Sequence, residues 1–199
     1  MAKIRLTRKK FIVFIIVLVG LAVFLYEYGI TFNNFFYVLW TEFRAFSTSK
    51  NPTVYVYNYH GYDIFFRANL TEALSVPVYP DDKGLFNAVT NQSVKRIHVV
   101  FVNSTDNSLV AVNGFEVSNK LSIIFYINGI SKKIKGIPVD DYNLTGTEDT
   151  LVIALIPPAL ANTTEVRLED NVIFISGKSS KEFDLATVRF LMSIMEVVV

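Results

Sequence analysis

A chain of 199 residues has room for one membrane segment and one domain core, because single cores commonly close at about 100–150 residues. Its 19 Lys and Arg stand against 18 Asp and Glu, both signs interspersed, which excludes a nucleic-acid-binding face and a disordered acidic tail. The absence of cysteine excludes a disulfide scaffold, thiol catalysis and thiolate metal sites, and with the single Gln (Gln92) and three Met it gives a composition poor in those three thermolabile types, as in thermophiles.

Residues 1–10 form a short basic tail with Lys3, Arg5, Arg8, Lys9 and Lys10. The run FIVFIIVLVGLAVFLY from residue 11 carries no charge and predicts a transmembrane helix over 11–28, completed by snorkelling of Lys9 and Lys10 across a core of about 30 Å. The next basic residue is Arg44, so the positive-inside rule puts the tail in the cytoplasm and everything after the helix outside it. A cleaved signal peptide is the competing reading, but the run ends VFLYEYGIT without a small-x-small cleavage site. Residues 29–50 read as an amphipathic aromatic helix and linker, with Phe32, Phe35, Phe36, Leu39, Trp40, Phe43 and Phe46 at helical spacing.

From residue 51 to 199 the pattern is that of a β-rich domain. Residues 53–59 and 94–102 alternate as half-buried strands, the first placing Tyr55, Tyr57 and Tyr59 on one face and the second separating Ile97, Val99 and Phe101 from Arg96 and His98. Strands are expected at 108–112 and 115–117 around Asn113-Gly114, and at 121–127 and 130–135 around Asn128-Gly129, the favoured type I′ hairpin turn. The continuously apolar 150–156 reads as a central strand, followed by strands at 164–168 and 171–176. Ser179 and Glu182 form a capping box that opens a C-terminal helix, excluded from the membrane by Arg189. The fold class expected is α+β: a transmembrane helix, an aromatic helix, and a mainly antiparallel β-rich extracytoplasmic domain closed by a C-terminal helix.

Asn69, Asn91, Asn103, Asn143 and Asn162 each open an N-glycosylation sequon, which supports the outside placement and, with the lack of disulfides, points to an archaeal host. Asp141, Asn143 and Thr145 present oxygen donors at alternate positions before Gly146, as calcium loops do, but the twelfth position is Val152 rather than Glu. His60 and His98 could meet Asp63 at a zinc, against the plainer reading of a turn and a strand histidine. Ile-Ser-Gly-Lys-Ser at 175–179 lacks the first glycine of a phosphate loop and reads as a strand-to-helix turn, while Ser47-Thr-Ser-Lys50 lacks the companion motif of serine acyl-enzymes. Tyr55, Tyr57, Tyr59 and Tyr62 are either an exposed binding stripe or a buried sheet face. No catalytic set and no cofactor motif emerges. The expectation is an anchored binding or scaffolding module, partnered by the lipid bilayer and an envelope protein; the alternative is an anchored hydrolase using the acid pairs Asp81-Asp82, Asp140-Asp141 and Glu148-Asp149.

Overall fold

A computed structural model describes residues 54–196. The basic tail 1–10, the transmembrane segment 11–28, the aromatic helix and linker 29–50 and the Ser47–Lys50 motif lie outside the described residues. Among the described residues no helix is long and apolar enough to cross a membrane.

The described chain opens with a hairpin, β1 (Tyr55–Tyr59) and β2 (Tyr62–Phe66), whose turn residues His60 and Gly61 both have positive φ, the type I′ pattern that matches strand twist. A short helix α1 (Leu70–Ala73), strand β3 (Val78–Tyr79) and helix α2 (Asp82–Thr90) follow. Then come β4 (Arg96–Val102), the long helix α3 (Asn107–Ile127), β5 (Lys133–Val139), β6 (Thr150–Ile156), the hairpin β7 (Glu165–Glu169) and β8 (Val172–Ser176), and the C-terminal helix α4 (Ser180–Ile194).

Strands β3 to β8 make one mixed sheet in the order β3-β7-β8-β6-β4-β5. The α+β class and the closing helix are as expected, but the antiparallel expectation is not: four pairings, β3–β7, β8–β6, β6–β4 and β4–β5, are parallel and only β7–β8 is antiparallel. The cause is α3. The strands expected at 108–112, 115–117 and 121–127 are instead one continuous helix, only the last expected strand, 130–135, overlapping β5, and a helix between β4 and β5 is the crossover that a parallel pair needs. Asn128 is its C-cap, and Gly129 (φ 65) takes the left-handed conformation that ends a helix, so Asn-Gly here is a helix stop rather than a hairpin turn.

The expectation for β6 holds. It lies between β8 and β4 and is buried along six of its seven residues, Thr150–Leu155, which is why its sequence is continuously apolar. Ser179 caps α4 by accepting from the Glu182 N–H at 3.2 Å. Gly177 precedes it for want of space: a Cβ there would stand 2.3 Å from the Phe183 nitrogen, so only glycine lets the first turn of α4 close on the end of β8.

The helices cover one face of the sheet, where Ile97, Val99, Leu151, Ile153, Ile173 and Ile175 meet Val117, Leu121, Phe183 and Phe190. Among the described residues the opposite face carries no helix. The β5–β6 connection, residues 140–149, crosses it as an extended strap whose Tyr142 and Leu144 pack on Val100, Val152, Ala154 and Val172. The β1–β2 hairpin lies on the helix side, its Tyr59, Ile64 and Phe66 joining the main core.

Candidate functional site

The sequence-derived candidates scatter. Asp81 caps α2 by accepting from Gly84 N–H at 2.6 Å, and Asp82 is committed to Arg189. Asp140-Asp141 follow the end of β5 and Glu148-Asp149 precede the start of β6; because these strands are parallel, the pairs sit at opposite ends of a seven-residue strand, about 20 Å apart. Two carboxyls acting on one glycosidic bond stand within about 10 Å. Asp141 Oδ1 accepts from Asn143 N–H at 2.9 Å in a local turn, and with Asn143 and Thr145 it lies exposed on the strap. His60 sits in the hairpin turn, its ring edge-on to Tyr59, while Asp63 is held by Asn58 at 2.8 Å. His98 lies on the strap side of β4, across the sheet from the helix face. Among the described residues no group of three or more His, Asp or Glu is placed to hold a metal ion. Ile175–Ser179 is the β8–α4 turn expected for it.

The tyrosines resolve toward packing. Tyr59 is buried and its hydroxyl accepts from Asn128 Nδ2 at 3.0 Å, while Tyr55 and Tyr57 pack against the core. Of these four only Tyr62 is exposed.

What the structure does bring together is a surface on the helix side. Along α3 the charged residues are Glu116 and Lys120, one turn apart, and both are buried, at 4% and 9% exposure. Lys120 Nζ donates to Glu116 Oε1 at 2.8 Å and stands 5.1 Å from the centroid of the Phe66 ring, so β2 roofs the pair. Beside it Asn113 Nδ2 donates to Asp184 Oδ1 at 2.9 Å, and Arg67 on the β2–α1 connection approaches Asp184 at 3.6 Å. Burial pushes the Asp184 carboxyl above its ordinary value, against the opposing pull of Arg67 and Asn113.

With its charges turned inward, α3 shows solvent an uncharged stripe in which Phe115 and Tyr126 stand among Ser108, Asn119 and Ser122. Tyr126 is 79% exposed. The β1–β2 hairpin, whose Phe66 lies over the buried Lys120 of this helix, turns Val56 and Phe65 outward directly across from each other, and Val54 just before it is exposed as well. Sequence reasoning missed this surface because it read 108–127 as strands. The signal that could have found it is the i, i+4 pair Glu116–Lys120 with Val110, Val117, Leu121 and Ile124 recurring at a helical period.

A second feature is a basic cleft at the foot of β4 and β5, lined by Lys95, Arg96, Ser131, Lys132, Lys133 and Asp149. Most of its charge is spent internally. Arg96 Nη2 donates to Asp149 Oδ2 at 2.6 Å, Lys132 Nζ donates to the carbonyls of Asn91 and Val94, and Lys95 Nζ to that of Gln92. Hydrogen bonds from Arg96, Thr147 and Thr150 hold the Asp149 carboxyl well below the usual range. Burial, then the charges of Arg96 and Lys135, lower His98, and burial with Lys95 lowers Lys132.

Comparison of the chain with protein-family models, with curated proteins and with solved structures gives no match. The functional argument therefore rests on the surfaces themselves.

Proposed function

We propose that the chain is a membrane-anchored, extracytoplasmic binding or scaffolding module, an accessory subunit that docks an envelope protein on its α3–hairpin surface. The anchor reading rests on the uncharged run within 11–28 and the basic residues before it, and the outside placement on the same charge asymmetry and the five sequons. One observation carries the docking reading: a 21-residue helix whose two charged residues are both buried, leaving a solvent-facing stripe with aromatic residues and no charge. Helices that end in water place charge on the wet face, whereas depletion of charge with aromatic enrichment marks the centre of protein interfaces.

The test is crosslinked capture from native membranes with the full-length chain and with the double variant Phe115→Ser/Tyr126→Ser. Expected is a stoichiometric envelope protein with the native chain, lost with the variant while its thermal transition is kept. A monodisperse monomer that captures nothing refutes the reading.

A further inference from the structure

Three of the five sequons converge on one rim of the sheet. Asn103 follows directly on the C-terminal end of β4, Asn143 lies on the strap after β5, and Asn162 lies in the β6–β7 connection. Side-chain contacts tie these three segments together. Val102 N–H donates to the Tyr142 hydroxyl, which in turn donates to the carbonyl of Leu155 near the end of β6. Asp106 Oδ2, in the loop that carries Asn103, accepts from the N–H of Ala159, in the loop that carries Asn162.

Asn103, Asn143 and Asn162 are all exposed, and among the described residues none of their side-chain amides enters a hydrogen bond. Each has a threonine two residues on: Thr105, Thr145 and Thr164. Asn69 is the contrast. It is half-buried, and its Oδ1 accepts from the N–H groups of Thr71 and Glu72 at 2.8 and 3.2 Å as the N-cap of α1. Turning its amide toward a donor would uncap the helix. Asn91 stands apart from the rim, before the foot of β4.

We propose that this rim is N-glycosylated at Asn103, Asn143 and Asn162, while Asn69 is left bare; the inference rests on the extracytoplasmic placement proposed above. The chemistry is a group transfer by a separate membrane enzyme from a lipid-phosphate-activated glycan. The Asn Nδ2 forms a bond to the anomeric carbon, the bond from that carbon to the phosphate oxygen breaks with its electron pair leaving on the phosphate, and one Nδ2 proton passes to a base of the transferase. The consequence is steric. Glycans at these three positions close the carboxyl ends of β4, β5 and β6, the rim at which open parallel sheets commonly take ligands, and leave the α3–hairpin surface as the approach for a protein partner.

The experiment is glycopeptide mass spectrometry on the full-length chain purified from the membranes of its source cells, paired with protease treatment of intact cells. Glycan mass at Asn103, Asn143 and Asn162 with Asn69 unmodified is the expected result. The triple variant Asn103→Gln/Asn143→Gln/Asn162→Gln should then lose the mass of three glycans and keep the native thermal transition, because the three exposed amides have no partners to lose among the described residues. A bare rim, or Asn69 occupied to the same extent as the rim, overturns the inference. Where the rim is bare, protease digestion of the domain from outside leaves the extracytoplasmic placement standing, whereas full protection removes both.

Discussion

Asp82→Ala should be among the most damaging single changes in the described domain. Arg189 lies on α4 with its side chain 7% exposed, and Asp82, at the start of α2, is 28% exposed. The guanidinium meets the carboxylate with two parallel bonds, at 2.6 and 2.9 Å, while Ser193 Oγ donates to Asp82 Oδ1 at 2.5 Å and Arg189 Nε donates to the Val76 carbonyl at 3.3 Å. Removing one partner of a buried pair costs about 3–5 kcal/mol because the other charge stays desolvated. Water reaches Asp82 in part, so the low end, about 3 kcal/mol, is expected. With an m-value of about 2 kcal/mol/M, the urea midpoint of the full-length chain in mild detergent falls by about 1.5 M at unchanged slope. Asp82→Ala/Arg189→Met should recover most of the loss, since no stranded charge remains. A midpoint shift under about 0.5 M in the single variant, with the slope unchanged, would refute the assignment of this pair as the clamp between α2 and α4. The pair also sets an acid limit. Burial alone would raise the Asp82 carboxyl, but the bonds from Arg189 and Ser193 and the guanidinium charge outweigh it and hold it below 3.8. A group depressed in the folded state contributes fully above its unfolded value, so this contribution is lost as pH falls from about 4 through the lower folded value.

Asp184 has the opposite sign: burial raises its folded value, so its contribution is complete below the unfolded value of 3.8 and declines as pH rises through the folded one. Asp184→Asn, which keeps an acceptor for Asn113 Nδ2, should remove that decline in urea midpoints measured from pH 3 to 7; an unchanged pH profile would contradict it. Thr187 is fully buried on α4 with its hydroxyl unpartnered among the described residues, so the near-isosteric Thr187→Val should raise stability by about 1 kcal/mol, read as a higher urea midpoint. Gly177→Ala drives a Cβ into the backbone of Phe183, whereas Gly136→Ala on β5 meets nothing within 4 Å; circular dichroism melts should show the first variant strongly destabilised and the second close to native.

How much of this was legible depended on how many sides of an element are covered. The strands β4, β6, β7 and β8 and the helix α4 read correctly from sequence, because each shows an uninterrupted period, a clear stop or a side-chain cap. Helix α3 did not. It packs on the sheet and on α4 and meets the β1–β2 hairpin through Phe66 over Lys120 and Tyr59 at Asn128, so more than one of its faces is buried and its apolar positions blur toward the run expected of strands. The polar residues that break the run, Glu116 and Lys120, are themselves buried, and they mimic a wet face where there is none. Asn-Gly then tipped the reading. The type I′ turns fall instead at His60-Gly61 and Asp170-Asn171, where both central residues have positive φ and the flanking strands are short enough to pair locally. The candidate surface was hidden by the same error, since the outward stripe of α3 exists only once 107–127 is a helix.

The strap follows from the same element. Chain passage from β4 through α3 to β5 moves outward to the sheet edge, and passage from β5 to β6 moves back across β4, both between parallel strands. Parallel crossovers keep one hand, so reversing the direction of travel requires the second connection to use the opposite face. Ten residues, 140–149, must cover a seven-residue strand of about 20 Å and its two corners, which an extended chain can do and a helix rising about 15 Å cannot. The strap is therefore extended, and it covers the middle of that face through Tyr142 and Leu144 while leaving Arg96, Lys133 and Lys135 in water on one flank and Arg167, stacked on Phe174 at 5.1 Å, on the other. The strap face thus keeps charge at its margins, as a wet surface does, whereas the outward stripe of α3 carries none. That contrast between the two sides is the physical reason for placing the partner on the helix side.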